Sequence, residues 1–496
     1  MSSSENSYNL LTRAWIPVIG ADGKTRRVGL TELMREAAAL RAFAGAPPVR
    51  IALLRLALAV FRDALGSDAV AESAWRGWWR AEEVPADVTD YLDRHHGRFD
   101  LFDTARPFLQ DPALRGDRTA VRSVAELAPH LPTGNNATLL HQTTDLDGAN
   151  PVSFSVPDAA CWLVSLHAHS RPGMTSARDA VPPGRVSGRA GPLLGRLLAV
   201  PDCENLARTL LLNLPRAARD PYDVPGYLAA TPVRDGAQAR GPVSLLTWTT
   251  RHVLLQLDTP DRVSAVKVAA DRDVDPLVPR ESQASYDPHL LASPAAKVVN
   301  GWTLAVATLG RTPLADAAVV NKHLVSPAPG SLLPVAAAIA AEHRNVRMSV
   351  YGLAVESTAK FVDWTVTNIP CAGRAGIAES VAAAQLAADA AASAAGALAL
   401  VEDRAAHPSS ASGLALREQA AAAVWQYLDA PGRELLNRLA ERHATKAETL
   451  RWQRLCADAA RRVIDSMSHP CGHKVTGVRA NTRLEQVLAS SQRNEQ

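Results

Sequence analysis

Residues 374–402 read RAGIAESVAAAQLAADAAASAAGALALVE, and this stretch divides the chain. Alanine dominates it, with Glu379, Gln385, Asp389 and Ser393 as periodic polar interruptions. Those interruptions argue against a membrane span, and the small side chains argue for close packing on other helices. His407-Pro408-Ser409-Ser410 breaks the pattern. Leu416, Ala420, Ala423, Val424, Tyr427 and Leu428 then trace one helical face. Pro431-Gly432 predicts a second break, with Leu435, Leu436 and Leu439 on a short helix beyond it. Leu455, Ala459, Val463 and Met467 recur every four residues, and Leu484 to Leu488 closes the set. Four or five helices with short connections form a bundle.

The composition shifts at Pro370, and everything before it reads as mixed. Tyr8 to Val18 predicts a strand, Asp22-Gly23 a turn, and Lys24 to Val28 an antiparallel return. A helix follows from Leu30, with Thr31 as its expected N-cap. Val49 to Phe61, after Pro47-Pro48, is apolar on most faces and too short to span a bilayer, so it predicts a buried core helix. Trp75, Trp78 and Trp79 sit on another short helix, where core packing is the expected use of large rings. Phe99 to Gln110 is turn-rich. Ser155 to Ser165 and Leu193 to Val200 are short apolar runs, Ser170 to Ser176 reads as a flexible loop ahead of a Pro/Gly-rich span 182–192, and Val243 to Leu257 reads as strand. Residues 271–294 form a long loop rich in Asp, Arg and Pro.

Within this half, Gly134-Asn135-Asn136-Ala137-Thr138-Leu139-Leu140-His141-Gln142-Thr143-Thr144-Asp145 is dense in uncharged polar side chains. Amides and hydroxyls donate and accept at once, and Gly134 with the Asn pair permits φ > 0. The segment reads as an ordered loop offered to a partner, although the same residues also build ordinary surface turns.

The chain has 496 residues, 47% hydrophobic and 21% charged, a globular composition of two to four domains. Its five cysteines form no CxxC pair, so the expected compartment is the reducing cytoplasm; no signal peptide is legible at Met1 to Ser7. A net charge of +3 is too small to mark a generic polyanion binder. Arginine greatly outnumbers lysine, and its planar fork suits phosphate and guanine edges. No Walker, GxGxxG or HExxH motif occurs. His469, Cys471 and His473 lack a second pair of ligands for zinc. His141 and Asp145 with Ser153 and Ser155 lack a nucleophile elbow. The residues therefore predict a binding protein without catalytic groups, cofactor or metal.

Four segments carry a resemblance. Asn9-Leu10-Leu11 with Trp15-Ile16-Pro17-Val18, Phe99-Asp100-Leu101-Phe102 with Arg106-Pro107-Phe108-Leu109-Gln110, the Gly134–Asp145 loop, and Leu210-Leu211-Leu212-Asn213-Leu214-Pro215-Arg216 occur in that order. Together they resemble the CasA family, the large subunit of the type I-E CRISPR surveillance complex Cascade. The resemblance implies an α+β chain: a large mixed α/β domain with long loops over 1–373, then an all-α four-helix bundle over 374–496. It implies a non-enzymatic subunit that recognises the protospacer-adjacent motif (PAM) in double-stranded target DNA, helps open the duplex and recruits the helicase-nuclease effector in antiviral defence. The implied partners are the other Cascade subunits, the 5′ handle of the guide RNA, the target duplex and the effector, with no membrane. The family's polar loop, which approaches guide RNA and PAM-proximal DNA, maps onto Gly134, Asn135, Asn136, Thr138, His141 and Gln142. Its glycine loop maps onto Gly173, Met174, Thr175 and Ser176, with one glycine remaining. Its basic finger precedes a Pro-His pair, here Pro288-His289, which makes Arg280 the expected finger, with Lys267 and Arg272 next. The polar and breaker-rich span from Asp271 to Ser285 predicts a mobile loop around it. Its strand-separating wedge falls at Ser357 and Thr358, after Glu356 and without the family's glutamine. A protein-joining scaffold and a metal-dependent nuclease are the competing readings.

Overall fold

The computed structural model describes residues 7–131, 152–178, 184–188, 190–194, 196–229, 239–271, 287–289, 297–299, 302–304, 339, 346–355, 361–370, 375–406, 413–441 and 444–467. The chain forms two compact units, one of residues 1–309, 328–335 and 351–366, the other of residues 310–327, 336–350 and 367–496.

The first unit opens with the antiparallel hairpin β1 (Ile16–Gly20) and β2 (Thr25–Val28), turned at Asp22-Gly23, where Gly23 has φ 76°. The expected strand from Tyr8 starts only at Ile16. Asn9 accepts the Leu11 amide on its own side chain (2.9 Å) and turns the chain first. Helix α1 (Leu30–Arg35) begins after Gly29, so Thr31 lies inside it and is not its cap. Gly29 lies against the Leu11 carbonyl with no room for a Cβ, and that contact sets where the helix starts. Strand β3 (Leu40–Phe43) completes the sheet β2-β1-β3.

Helix α2 (Pro47–Ala64) is the expected core helix, with Pro47 and Pro48 at its first positions and nearly every side chain buried. Arg55 and Arg62 are buried with them. Arg62 Nη2 donates to the Asp68 and Ala217 carbonyls (2.8 and 2.9 Å), so backbone oxygens hold that end of the guanidinium. Helices α3 (Glu72–Ala81) and α4 (Ala86–Arg94) follow. Trp75 and Trp79 of α3 are buried and stacked, 5.4 Å between centroids.

A six-stranded sheet is built around one long strand. Its path is β4 (Val121–Ser123), β10 (Arg262–Ala270), β6 (Gly173–Ala177) and β7 (Arg185–Gly188), and β5 (Phe154–Ser155) and β9 (His252–Thr259) also pair with β10. Only β6 runs parallel to β10, through Ala269↔Ser176 and Ala270↔Ala177. Helix α5 (Val156–His169) is capped by the Ser155 hydroxyl, which accepts the Asp158 amide. Strand β8 (Leu197–Asp202) and helix α6 (Leu206–Leu212) come next. Two expectations are corrected here. Gly173 to Ser176 is a strand rather than a flexible loop, held by its antiparallel pairing with β7. Val243 to Leu257 is not one strand: α7 (Pro242–Leu246) precedes β9, and Trp248 lies between them. The Asp223 carboxylate accepts the Val243 and Ser244 amides (3.0 and 2.8 Å), a cap from twenty residues away that local sequence does not reveal. Strands β11 (Lys297–Val299) and β12 (Trp302–Leu304) pair with each other, and β13 (Arg347–Val355) and β14 (Phe361–Pro370) complete the order β14-β13-β8.

In the second unit three long helices, α8 (Ala375–Ala406), α9 (Gly413–Glu441) and α10 (Lys446–Met467), pack against one another. By length and composition Glu379–Ala399 would pass as a membrane span, but its small-residue face is packed. Val381, Ala384, Ala388, Ala391, Ala395 and Leu398 are buried at spacings of three and four, while Glu379, Asp389 and Ser393 are exposed. A Cβ on Gly396 would meet the Arg417 backbone oxygen at 2.9 Å, so α8 and α9 approach closely there. Trp452 donates to the Ala384 carbonyl (2.9 Å) and ties α10 to α8. The expected break at Pro431-Gly432 does not occur, because α9 runs through Pro431. Val424 and Leu428 before it and Leu435 and Leu439 after it are buried on one face. Each buried leucine contributes about 1.5–3 kcal/mol, which together outweighs the roughly 3 kcal/mol cost of an internal proline. The segment Leu484 to Leu488 lies outside the described residues.

Candidate nucleic-acid interface

Of the residues singled out from sequence, Gly173, Met174, Thr175 and Ser176 are described; Gly134, Asn135, Asn136, Thr138, His141, Gln142, Arg280, Ser357 and Thr358 lie outside the described residues, as do Arg272, His469, Cys471 and His473. The structure places β6 between β10 and the edge strand β7.

The β6–β7 hairpin pairs Gly173 with Gly188, Met174 with Ser187 and Ser176 with Arg185. Gly173 has φ 142° and open space around its Cα, so its backbone is accessible to anything that approaches. Met174 is 54% exposed, an unusual position for a large apolar side chain. Thr175 points inward and donates to the Val268 carbonyl, and Ser176 is half-buried. Exposed Arg185 donates to the Met174 carbonyl (2.7 Å) and puts a cation on the same edge. Sequence reading missed Arg185 because it took 182–192 as a Pro/Gly span; an arginine between Gly184 and Gly188 was the available signal. Behind the hairpin, buried Arg251 donates to the Thr250 and Arg171 carbonyls, both at 2.8 Å, and burial lowers its pKa to about 10. Its guanidinium occupies the space a Cβ on Gly188 would need.

The segment between Asp271 and Asp287 is anchored at both ends. At the first, fully buried His252 faces two carboxylates: Nδ1 meets Asp111 Oδ2 at 2.7 Å and Nε2 meets Asp271 Oδ2 at 2.8 Å. Arg178, just past β6, lies 3.5 Å from Asp111. Burial by itself would lower the His252 pKa, but the hydrogen bonds to Asp111 and Asp271 outweigh it and raise it. Burial pushes Asp111 upward, and the bonds from His252 and the Ala113 amide bring it below the usual carboxylate value. At the other end Arg55 Nη1 donates to both Asp287 oxygens (2.9 and 2.8 Å) in a nearly dry ion pair. Burial drives His289 down to about 4, so it is neutral and its Nε2–H donates to Asn213 Oδ1 at 3.0 Å. Lys267, a fallback for the basic finger, is buried and donates to the Leu114 and Asp117 carbonyls, both at 2.8 Å. It is committed to the interior and does not serve as a finger.

Where the chain leaves for residues 132–151, His130 lies 5.0 Å from the Trp162 ring and 4.9 Å from the Trp364 ring. Burial lowers its pKa, so the ring packs there uncharged.

Three of the four sequence segments that carry the family resemblance are joints in the structure. Asn9 donates to the His96 carbonyl (3.0 Å), Gln110 donates to Leu101 (2.7 Å) and accepts Leu255 (2.8 Å), and Asn213 donates to Pro201 and Thr209, both 2.7 Å. Each buried amide ties its segment to another part of the frame. Ser153 is held by Arg262, and Ser155 caps α5, so neither is poised as a nucleophile. Among the described residues no group of three His, Cys, Asp or Glu could hold a metal ion.

Comparison with known proteins adds the following. The family model for CRISPR-associated protein Cse1 matches residues 9–463. A CRISPR-associated protein CasA/Cse1 from Thermus thermophilus is 33% identical over 270 residues, 52% of this chain and 51% of that protein, so the match spans about half the length of this curated relative. The crystal structure of CRISPR-associated protein Cse1 from Acidimicrobium ferrooxidans superposes with a TM-score of 0.76 at 23% identity, covering 99% of both chains. A chain of a CRISPR RNA-guided surveillance complex superposes with a TM-score of 0.68 at 17% identity, covering 97% of this chain and 99% of that one. Similarity at these identities establishes a shared fold along the whole chain.

Proposed function

Because the chain belongs to the CRISPR-associated Cse1 family, we propose that it is the large subunit of a type I-E RNA-guided surveillance complex. In this reading it binds double-stranded DNA, recognises the PAM, helps open the duplex and recruits the helicase-nuclease, without catalytic chemistry of its own. The family match over residues 9–463 carries the reading. The exposed β6–β7 edge supports it: an accessible glycine backbone, an exposed Met174 and the Arg185 cation suit close approach to a groove. The guide RNA reads the long sequence, and the protein reads only a short duplex motif.

The other assignments follow the same reading. Gly134, Asn135, Asn136, Thr138, His141 and Gln142 meet the 5′ handle of the guide RNA and PAM-proximal DNA. Arg280 enters the minor groove, where the narrow groove's negative potential favours a guanidinium. Ser357 and Thr358 sit at the separating strands. Residues 374–496 form a C-terminal four-helix bundle. Buried thiols at Cys161 and Cys456 suit a reducing cytoplasm.

The assembly half of the proposal is tested by replacing Asn135 and Asn136 together with Ala. The melting temperature of the isolated chain should hold, since exposed loop changes stay within about 0.5 kcal/mol. Co-purification with the other subunits and guide RNA should weaken. A large drop in melting temperature with intact assembly would make the pair structural instead. Metal-dependent DNA cleavage by the pure chain would replace the non-enzymatic reading with a nuclease.

A further inference from the structure

A neutral imidazole has one N–H and one lone pair. His252 has a carboxylate oxygen at hydrogen-bond distance from each ring nitrogen, so a neutral ring would leave one nitrogen lone pair facing a carboxylate. Two donors are needed, and only the imidazolium has two. The two carboxylates come from distant elements. Asp111 caps the 3-10 turn Pro112–Arg115, and Asp271 is the first residue past β10. Arg178, the first residue past β6, approaches the same Asp111, and its amide donates to the Ala270 carbonyl (3.0 Å). The ends of β6 and β10 are therefore joined by one backbone bond and one buried ionic cluster. Protonated His252 and Arg178 set two positive groups against the Asp111 and Asp271 carboxylates.

We propose that His252 is a positioning residue for duplex recognition: its imidazolium, held between Asp111 and Asp271 with Arg178 beside them, fixes the ends of β6 and β10 and so the placement of the Gly173–Ser176 edge. The inference rests on the DNA-binding reading above. Among the described residues the ring also interacts with His167 of α5, which burial pushes down to about 4 and so keeps neutral, and the neighbouring Arg251 guanidinium is held by the Thr250 and Arg171 carbonyls. Neither can replace the lost proton. The His252 pKa is raised in the fold, so the clamp is complete below the ordinary imidazole value of about 6.5 and is lost as pH rises through the raised value. Asp111 is lowered, so its contribution is present above about 3.9 and is lost only as pH falls through the depressed value. The node is whole between those limits.

The test uses the full chain in the guide-loaded complex, with DNA binding followed from pH 6 to pH 9. Wild type should lose about tenfold in matched-PAM affinity across the His252 titration, the size of one lost charged hydrogen bond. Asp271→Asn, nearly isosteric, supplies an amide N–H to a neutral ring and should flatten that profile. His252→Gln should bind weakly throughout. Because a buried substitution can unfold the chain, ring-¹⁵N histidine spectra of the wild-type full chain provide a separate readout, and at pH 6, below the ordinary imidazole value, both His252 nitrogens should be protonated. A neutral tautomer at pH 6, or an Asp271→Asn profile identical to wild type, overturns the proposal. If wild type fails to distinguish matched from scrambled PAM even at pH 6.5, the DNA-binding reading fails. The ring spectra, together with amide exchange along β6 in wild type and Asp271→Asn, then decide the clamp by itself.

Discussion

Arg55 and Asp287 form the driest ion pair described, with side chains 1% and 3% exposed. Removing one partner from such a pair leaves an uncompensated buried charge. Arg55→Met should therefore cost about 3–5 kcal/mol in urea unfolding; a loss below about 1 kcal/mol would show that the pair is not an anchor. Burial alone would raise the Asp287 pKa, but Arg55 and His289 outweigh it and hold it low. Its contribution is therefore full above about 3.9 and lost as pH falls through the depressed value, and acid unfolding of Asp287→Asn should lack that step. Arg280 belongs to the functional account. Arg280→Ala should weaken matched duplex binding by about 1–3 kcal/mol, the value of one good base-edge contact. Equal loss on matched and scrambled duplexes, with the salt slope lower by about one unit, would make it a phosphate contact. Sequence reading could name Asp271 and Asp287 only as part of a polar loop. That each is pinned by a buried cation, His252 or Arg55, depends on partners 19 and 232 residues away.

Elements with a strong local period were legible. The core helix over Val49–Phe61, the Ala-rich helix and the four-residue recurrence to Met467 are all helices, at the expected places. Elements decided by distant contacts were not: α7 depends on Asp223, and β6 depends on the strands on either side of it, β7 and β10. Pro431 shows tertiary burial overriding a local breaker. Pro431→Ala should remove the cost of the internal proline and stabilise the chain, by up to about 3 kcal/mol in thermal unfolding. Gly396→Ala should act in the opposite sense, because its Cβ would meet the Arg417 backbone. About 1–3 kcal/mol of destabilisation is expected from that overpacking, and an unchanged melting temperature would show that α8 and α9 have room to part.

At the scale of the whole chain, a family model spanning residues 9–463 and a shared fold across 99% of a Cse1 crystal structure agree with the resemblance carried by four short sequence segments. Three of those segments hold joints of the frame, as Asn9, Gln110 and Asn213 show. The surface that would meet nucleic acid was less readable. Contact with a partner leaves no periodic pattern in the chain, and Arg185 was found only once its strand was paired. The central claim is that this chain gives a guide-loaded complex its PAM-dependent hold on DNA. The direct measurement is the dissociation constant of that complex, with and without the chain, on duplexes that share a full guide match and differ only in correct or scrambled PAM. With the chain present the matched duplex should bind at least about tenfold tighter, a difference of roughly 1.4 kcal/mol, and without it the two should bind alike. Equal affinity for both duplexes with the chain present would contradict the account and leave a scaffold in its place.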